Sequence, residues 1–219
     1  MGGHGLPAGA RVHAGVFLRV RLDGVTKRFG ARAVLRDLSC AFGPGVHLLV
    51  GPNGSGKTTL LNLVAGVLAP DAGTVDIDGV SGAAARDRVF LVPSATPAIP
   101  WLTGRACIDF TASLFATREP AAAVNGVVSR LGLAPFVDKP LGEMSSGTAK
   151  KVLIAAAFAS GAPVVLFDEP TNELDAASIA FFLDLLGASN RTILVATHHV
   201  EQFSRFAADA FRLEPAAAA

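Results

Sequence analysis

The sequence predicts an α/β domain with a mostly parallel sheet, a small antiparallel β layer and an inserted helical subdomain. Three observations carry that expectation. Short runs at 46–50, 162–167 and 192–197 read as strands, the second of them a continuous apolar run of the kind buried on both faces. The first of them passes through a glycine-rich turn straight into a helix. The stretch from about 96 to 161 shows long helical periodicity and few strand signals. The chain is accordingly divided into an N-terminal extension at 1–16, a core at 17–93 and 162–215, a helical subdomain at 94–161 and a tail at 216–219. Residues 17–50 and 73–80 are assigned to the β layer.

The turn after the first strand is Gly51-Pro52-Asn53-Gly54-Ser55-Gly56-Lys57-Thr58, which fits the pattern G-x-x-x-x-G-K-[ST] in full. Residues 57–65, Thr59 among them, continue it as a helix with an apolar stripe. Glycines let successive backbone N–H groups turn inward around phosphate oxygens, and the helix start adds the partial positive charge of its N-terminus. Lys57 supplies a point charge for the outer phosphates, and the Thr58 hydroxyl a ligand for Mg²⁺. The expectation is a pocket for a nucleotide triphosphate. An incidental lysine in a glycine-rich turn would leave the flanking strand and helix unexplained.

The second apolar run ends at Asp168 and Glu169. A carboxylate at the exit of a buried strand is costly unless paired, and Mg²⁺ on a bound nucleotide would be such a partner, so Asp168 is assigned to the metal. Glu169 is then placed to orient or deprotonate an attacking water. Capping of the next segment would account for either acid alone. Beyond them, Ile179, Phe182, Leu183 and Leu186 keep helical spacing behind Asp175, the expected N-cap. The third run ends at His198-His199. In the helical stretch, Val124, Val127, Val128 and Leu131 mark one helix, and Val152, Ala155, Ala156 and Ala159 another. The second is preceded by Ser145-Ser146-Gly147-Thr148: the serines suit a helix cap, and Gly147 would let a phosphate approach the backbone. Such a start is either an anion site with no phosphate loop of its own nearby or an ordinary cap.

This order of motifs resembles the nucleotide-binding domain of ATP-binding-cassette (ABC) proteins over roughly residues 18 to 214: a phosphate loop, a serine-glycine signature, Asp168-Glu169-Pro170, a T-x-x-L-D loop from Thr171 to Asp175, and the Thr197-His198 pair. The resemblance implies a P-loop NTPase with a RecA-like core and with ATP and Mg²⁺ as its ligands. It implies that Lys57 and Thr58 hold phosphate and metal, that Asp168 is the second metal-site acid, and that Glu169 is the catalytic base. Asp175 would lie in the loop linking two composite sites, and His198 would be the switch histidine that senses the γ-phosphate. Ser145 to Thr148 would act in trans, closing over ATP held by a second subunit. Phe29 falls where the family places an aromatic ring against adenine, a stacking worth about 1–3 kcal/mol. The chain departs from the family at Ser94, where a glutamine is usual just after a strand, and at Thr148, which replaces the glutamine of the signature. Serine is shorter, so from position 94 it would reach Mg²⁺ or the attacking water only through another water.

Composition narrows the class further. With 219 residues, 51% of them hydrophobic, the chain can bury one generous core. Nineteen basic residues against eighteen acidic ones leave no nucleic-acid footprint. Lys150-Lys151 is assigned to a solvated helix face. Cys40 and Cys107 lack metal-site spacing and read as buried thiols of a reducing compartment. Mean hydropathy is +0.46, but the longest apolar stretch, 152–167, is broken by Ser160-Gly161-Ala162-Pro163 and reads as a helix followed by a strand. Residues 1–16 lack the apolar block of a signal peptide, and Gly2-Gly3-His4 is read as an incidental Cu(II) or Ni(II) motif.

The resemblance therefore implies an ATPase subunit at the cytoplasmic face of a membrane, paired with a second ABC subunit and driving a separate membrane-spanning permease. Export is expected from the serine-rich signature and from the absence of a C-terminal regulatory domain. The stiff apolar segment Pro97, Ile99, Pro100 and Trp101 is either part of the permease contact or core packing. Two other readings stand beside this one: a soluble cassette acting on ribosomes or DNA, and a catalytically weak cassette paired with a fuller one.

Overall fold

In the computed structural model, which describes residues 20–96, 99–115 and 119–214, β1 (Val20–Phe29) and β2 (Arg32–Phe42) form an antiparallel hairpin around the turn at Gly30-Ala31. The extension at 1–16 with its Gly2-Gly3-His4 motif, Pro97 and the tail at 216–219 lie outside the described residues. Two further strands, β4 (Ala72–Ile77) and β5 (Val80–Ser81), complete a four-stranded antiparallel sheet in the order β2-β1-β4-β5. The expected β layer reached to residue 50. Instead the chain leaves it before β3 (Gly45–Val50), because Gly45 to Leu49 pair in parallel with Thr192 to Ala196.

The second sheet has five strands in the order β6-β7-β8-β3-β9, every pairing parallel: β6 (Val89–Val92), β7 (Val164–Asp168), β8 (Thr192–Ala196), β3 and β9 (Ala210–Arg212). Its central strands are uninterrupted in their hydrophobicity because both faces are covered. Val165 and Phe167 of β7 enter one core, whereas Val164 and Leu166 enter the other; Ile193 and Val195 divide from Leu194 and Ala196 in the same way on β8. The second core is closed by the antiparallel sheet and by α1 (Lys57–Val64), through Leu22, Val25, Leu60 and Leu61.

The first core is closed by the helices that lie between β6 and β7 and by α5 (Ala176–Ala188). Those helices are α2 (Gly104–Ser113), α3 (Ala121–Arg130) and α4 (Ser146–Ala159). Ala155, Ala156 and Ala157 of α4 are all fully buried, the pattern of a helix enclosed on every side. The expected solvated face at Lys150-Lys151 is corrected by this packing. Lys150 is 1% exposed, and Lys151 pairs with Asp175 at 2.5 Å. The 152–167 stretch divides into the end of α4 and β7, and no helix among the described residues is long and apolar enough to cross a membrane. Burial pushes the Cys40 thiol up to about 12 and raises that of Cys107, so both stay protonated at neutral pH.

Candidate functional site

The phosphate loop spans the gap between β3 and α1, and its last glycine sets the geometry. Gly56 is the N-cap of α1 at φ 101°, a left-handed conformation that side chains disfavour, and a Cβ there would stand 2.9 Å from Leu35. Among the described residues no side chain caps this helix, so the N–H groups of its first turn face the loop. Lys57 is almost wholly buried, and its Nζ donates to the carbonyl oxygens of Gly51 (2.8 Å) and Pro52 (3.2 Å), curling the loop around the ammonium. Ser55 Oγ, fully buried in the same loop, has no hydrogen-bond partner among the described residues.

Across the loop, the end of β7 brings in the acids. Thr58 Oγ1 donates to Asp168 Oδ2 at 3.0 Å, joining two residues 110 positions apart in the chain. Asp168 is 3% exposed. Burial holds its carboxyl above the usual carboxylate range and the neighbouring Glu169 adds to that, while hydrogen bonds from Thr58 and Ser94 and the charge of Lys150 act the other way. A hydroxyl and a partly desolvated carboxylate side by side are the hard oxygen donors that Mg²⁺ takes, so the residues present fit the metal. Glu169 adopts φ 47°, strained for a residue with a side chain, and this turns its carboxylate beside Asp168 and toward His198, whose Nδ1 lies 2.9 Å from Glu169 Oε1.

A cavity of about 400 Å³ lies over these groups, lined by Phe29, Arg32, Val34, Asn53, Gly54, Gly56, Lys57, Thr58, Thr59, Ser94, Asp168 and Glu169. Phe29 is half exposed at the mouth, with the Lys27 ammonium 5.8 Å from its ring centre. Gly51, Pro52 and Ser55 support the loop without lining the cavity, and His198 stands behind Glu169. Ser145, Ser146, Gly147, Thr148 and Asp175 lie apart from it.

The signature segment is organised for a different purpose in this subunit. Ser145 caps α4, its Oγ accepting from the N–H of Thr148 at 3.2 Å and lying 2.8 Å from the Thr148 hydroxyl, whereas Ser146 is the first helical residue. The expected role of Gly147, admitting a phosphate to the backbone, meets a nearer neighbour. The carbonyl oxygen of Glu173 lies 2.4 Å from where its Cβ would be, so glycine is required there by contact with the 171–175 loop. Asp175 caps α5, accepting from the N–H of Ser178 at 2.8 Å; Lys151, the strongest influence, and both Ser178 donors hold its carboxyl well below the usual range.

Two functional candidates escaped the sequence reading. Arg32 faces Phe29 across the hairpin, a position that pairing around a two-residue Gly30-Ala31 turn would have disclosed. Lys150 reaches the carbonyls of Pro93 and Ser94, and no local pattern signals that contact.

The chain matches the family model described as ABC transporter over residues 35–172. It is 32% identical to the cobalamin import ATP-binding protein BtuD of Halobacterium salinarum, covering 84% of this chain but 50% of that protein, so it spans half that relative's length. It is 32% identical to the manganese transport system ATP-binding protein MntA of Synechocystis, covering 86% and 78% respectively. Among solved structures, the dimeric post-hydrolysis cassette MJ0796 bound to ADP and Pi superposes with a TM-score of 0.74 at 24% identity, over 90% of this chain and 96% of that one. A phosphate-loop sequence folded between strand and helix, a metal-suited threonine–aspartate pair, a cassette fold and a family match over most of its length all agree: the chain belongs to the ABC transporter family, as an ATP-binding domain.

Proposed function

We propose that this cassette binds Mg·ATP in the cavity over the phosphate loop and hydrolyses it as one of two subunits that drive a separate permease from the cytoplasmic face of a membrane. The observation that carries this reading is the convergence of Phe29, the Lys57 loop, the Thr58–Asp168 pair and Glu169 on one cavity, while the Ser145 to Thr148 segment stands outside it.

Each residue then has a role that its position supports. The Phe29 ring stacks on the base. Lys57 exchanges the carbonyls of Gly51 and Pro52 for phosphate oxygens, which bind an ammonium more strongly because they are charged. Ser55 Oγ and the open N–H groups of α1 complete the cradle. Thr58 and Asp168 hold Mg²⁺, which when bound neutralises charge on the phosphate oxygens. Glu169 positions the attacking water and takes its proton, held in place by His198. The capped start of α4 offers its N–H groups to ATP on a second copy of the chain, so an isolated subunit turns over slowly.

Trp101 is 74% exposed, which removes the core-packing reading; with Phe110 of α2 and its C-cap Leu114, also exposed, it suits the permease contact. Most of the similar proteins whose names carry a direction are import proteins and one is an export protein, which favours import over the expected export.

Titration with a fluorescent ATP analogue tests the reading. Wild type gives saturable binding, and Lys57→Ala weakens it by about a hundredfold or more, equivalent to some 2.7 kcal/mol. Equal binding by the two proteins, or none by wild type, rejects an ATP site at this loop.

A further inference from the structure

Lys150 is among the largest fully buried side chains of the described residues, and the one that carries a charge. It lies in the second turn of α4, and its ammonium forms no ion pair within 4 Å among them. Its Nζ instead donates to two successive main-chain oxygens, Pro93 O at 2.7 Å and Ser94 O at 2.5 Å, at the exit of β6. The side chain of the same Ser94 lines the cavity beside Asp168 and helps to hold its carboxyl down, and Asp168 accepts from Thr58 on its Oδ2. A continuous line of polar contacts therefore runs from the phosphate loop through Thr58, Asp168 and Ser94 to Lys150 and into α4.

Burying an ammonium strips its hydration, a cost that methionine, of similar length and volume, would avoid. Burial accordingly pulls the Lys150 amine below the usual lysine range, with the carboxylates of Glu173 and Asp168 acting in the opposite sense. Packing alone does not call for a cation here; its donors do. The Ser94 side chain lines the cavity with Asp168, and the link from that loop to the helix is made by the main-chain oxygens of Pro93 and Ser94 and completed by the lysine.

We propose that Lys150 is a positioning residue: it fixes the Ser94 loop against α4, and so ties the nucleotide cavity of a subunit to the Ser145 to Thr148 segment that the same subunit presents to its partner. This rests on the ATPase reading given above. The far side of the helix start is held as well, by Gly147 against the Glu173 carbonyl and by the 2.5 Å Lys151–Asp175 ion pair. The start of α4 is thereby fixed between the cavity and the 171–175 loop, and a shift of either displaces the segment offered in trans.

The test compares wild type, Lys150→Met, Ser94→Ala and the double variant for analogue affinity, kcat and KM. Lys150→Met retains analogue binding and KM within about twofold but loses about tenfold in kcat, because the site survives and its alignment with the partner does not. Lys150→Arg, which restores donors and charge, recovers part of the loss. Since Lys150 acts through Ser94, the two single losses fail to add in the double variant, whereas a lysine that merely fills space gives additive losses. Where Lys150→Met does not fold, Lys150→Gln, with one donor, takes its place in the cycle. Wild-type kcat in a folded Lys150→Met, or strict additivity with Ser94→Ala, overturns the proposal alone. Absence of saturable analogue binding by wild type overturns the ATPase reading and this proposal with it.

Discussion

Asp175 serves two neighbours with one carboxylate: Oδ1 accepts from the N–H of Ser178 to cap α5, and Oδ2 takes the Lys151 ammonium and the Ser178 hydroxyl. All three partners favour the ionised form, so the folded-state pKa is depressed below the unfolded one. The resulting stabilisation is fully present above the ordinary carboxylate range and disappears as pH falls through the depressed value. Asp175→Asn keeps a capable cap and removes the charge. Its melting temperature is expected to lie below that of wild type at neutral pH, with the gap closing as pH falls below about 4; a gap independent of pH in thermal melts refutes this. At this scale the sequence disclosed Asp175 as a cap and Lys57, Thr58, Asp168 and Glu169 as neighbours in chemistry, since each belongs to a pattern with fixed local spacing. It misplaced Lys150, because a lysine on a helix is ordinarily solvated and the carbonyls that hold it are 56 and 57 positions away.

The strands and helices follow the same distinction between local and distant causes. β7 was legible as a continuous apolar run, β8 as a short strand, and α5 by the spacing of Ile179, Phe182 and Leu186, because burial on two faces or one stripe writes itself into the sequence. β9 was not: its three residues are a strand only because Ala210 to Arg212 pair with Leu48 to Val50. The 3₁₀ segments Gly82–Arg88 and Val200–Asp209 went unread as well; the second is amphipathic but kinks at Phe203, where the backbone leaves the helical region. Where β7 meets α5, the rings of Phe167 and Phe182 contact edge to face at 5.0 Å, both fully buried. Phe182→Ala empties that contact and is expected to cost about 3–5 kcal/mol in denaturant unfolding. Phe110→Ala, on the exposed face of α2, should stay within about 0.5 kcal/mol of wild type. Similar losses in the two variants would mean that the interface of β7 and α5 is not packed as described.

For the molecule as a whole, the two cores place the antiparallel sheet and α1 on one face of the parallel sheet and α2 to α5 on the other, with the phosphate loop at the strand ends. This arrangement gathers the residues proposed to hold phosphate and metal around one cavity, while the capped start of α4 does not line it. The proposed cycle follows from that incompleteness: ATP joins two copies and hydrolysis releases them. Glu169→Gln, which removes the base and preserves the shape, is expected to accumulate as a dimer with Mg·ATP in size-exclusion chromatography, whereas wild type returns to monomer as ATP is consumed. A monomeric Glu169→Gln at saturating nucleotide excludes this cycle.

The chain contains one tryptophan and no tyrosine, and that tryptophan is the protruding Trp101, which does not line the nucleotide cavity. Ultraviolet emission from the protein is therefore a single-site signal free of tyrosine background. It originates on the surface assigned to the permease, so engagement there, which replaces water around the indole with hydrocarbon, would shift its colour toward the blue without any attached dye.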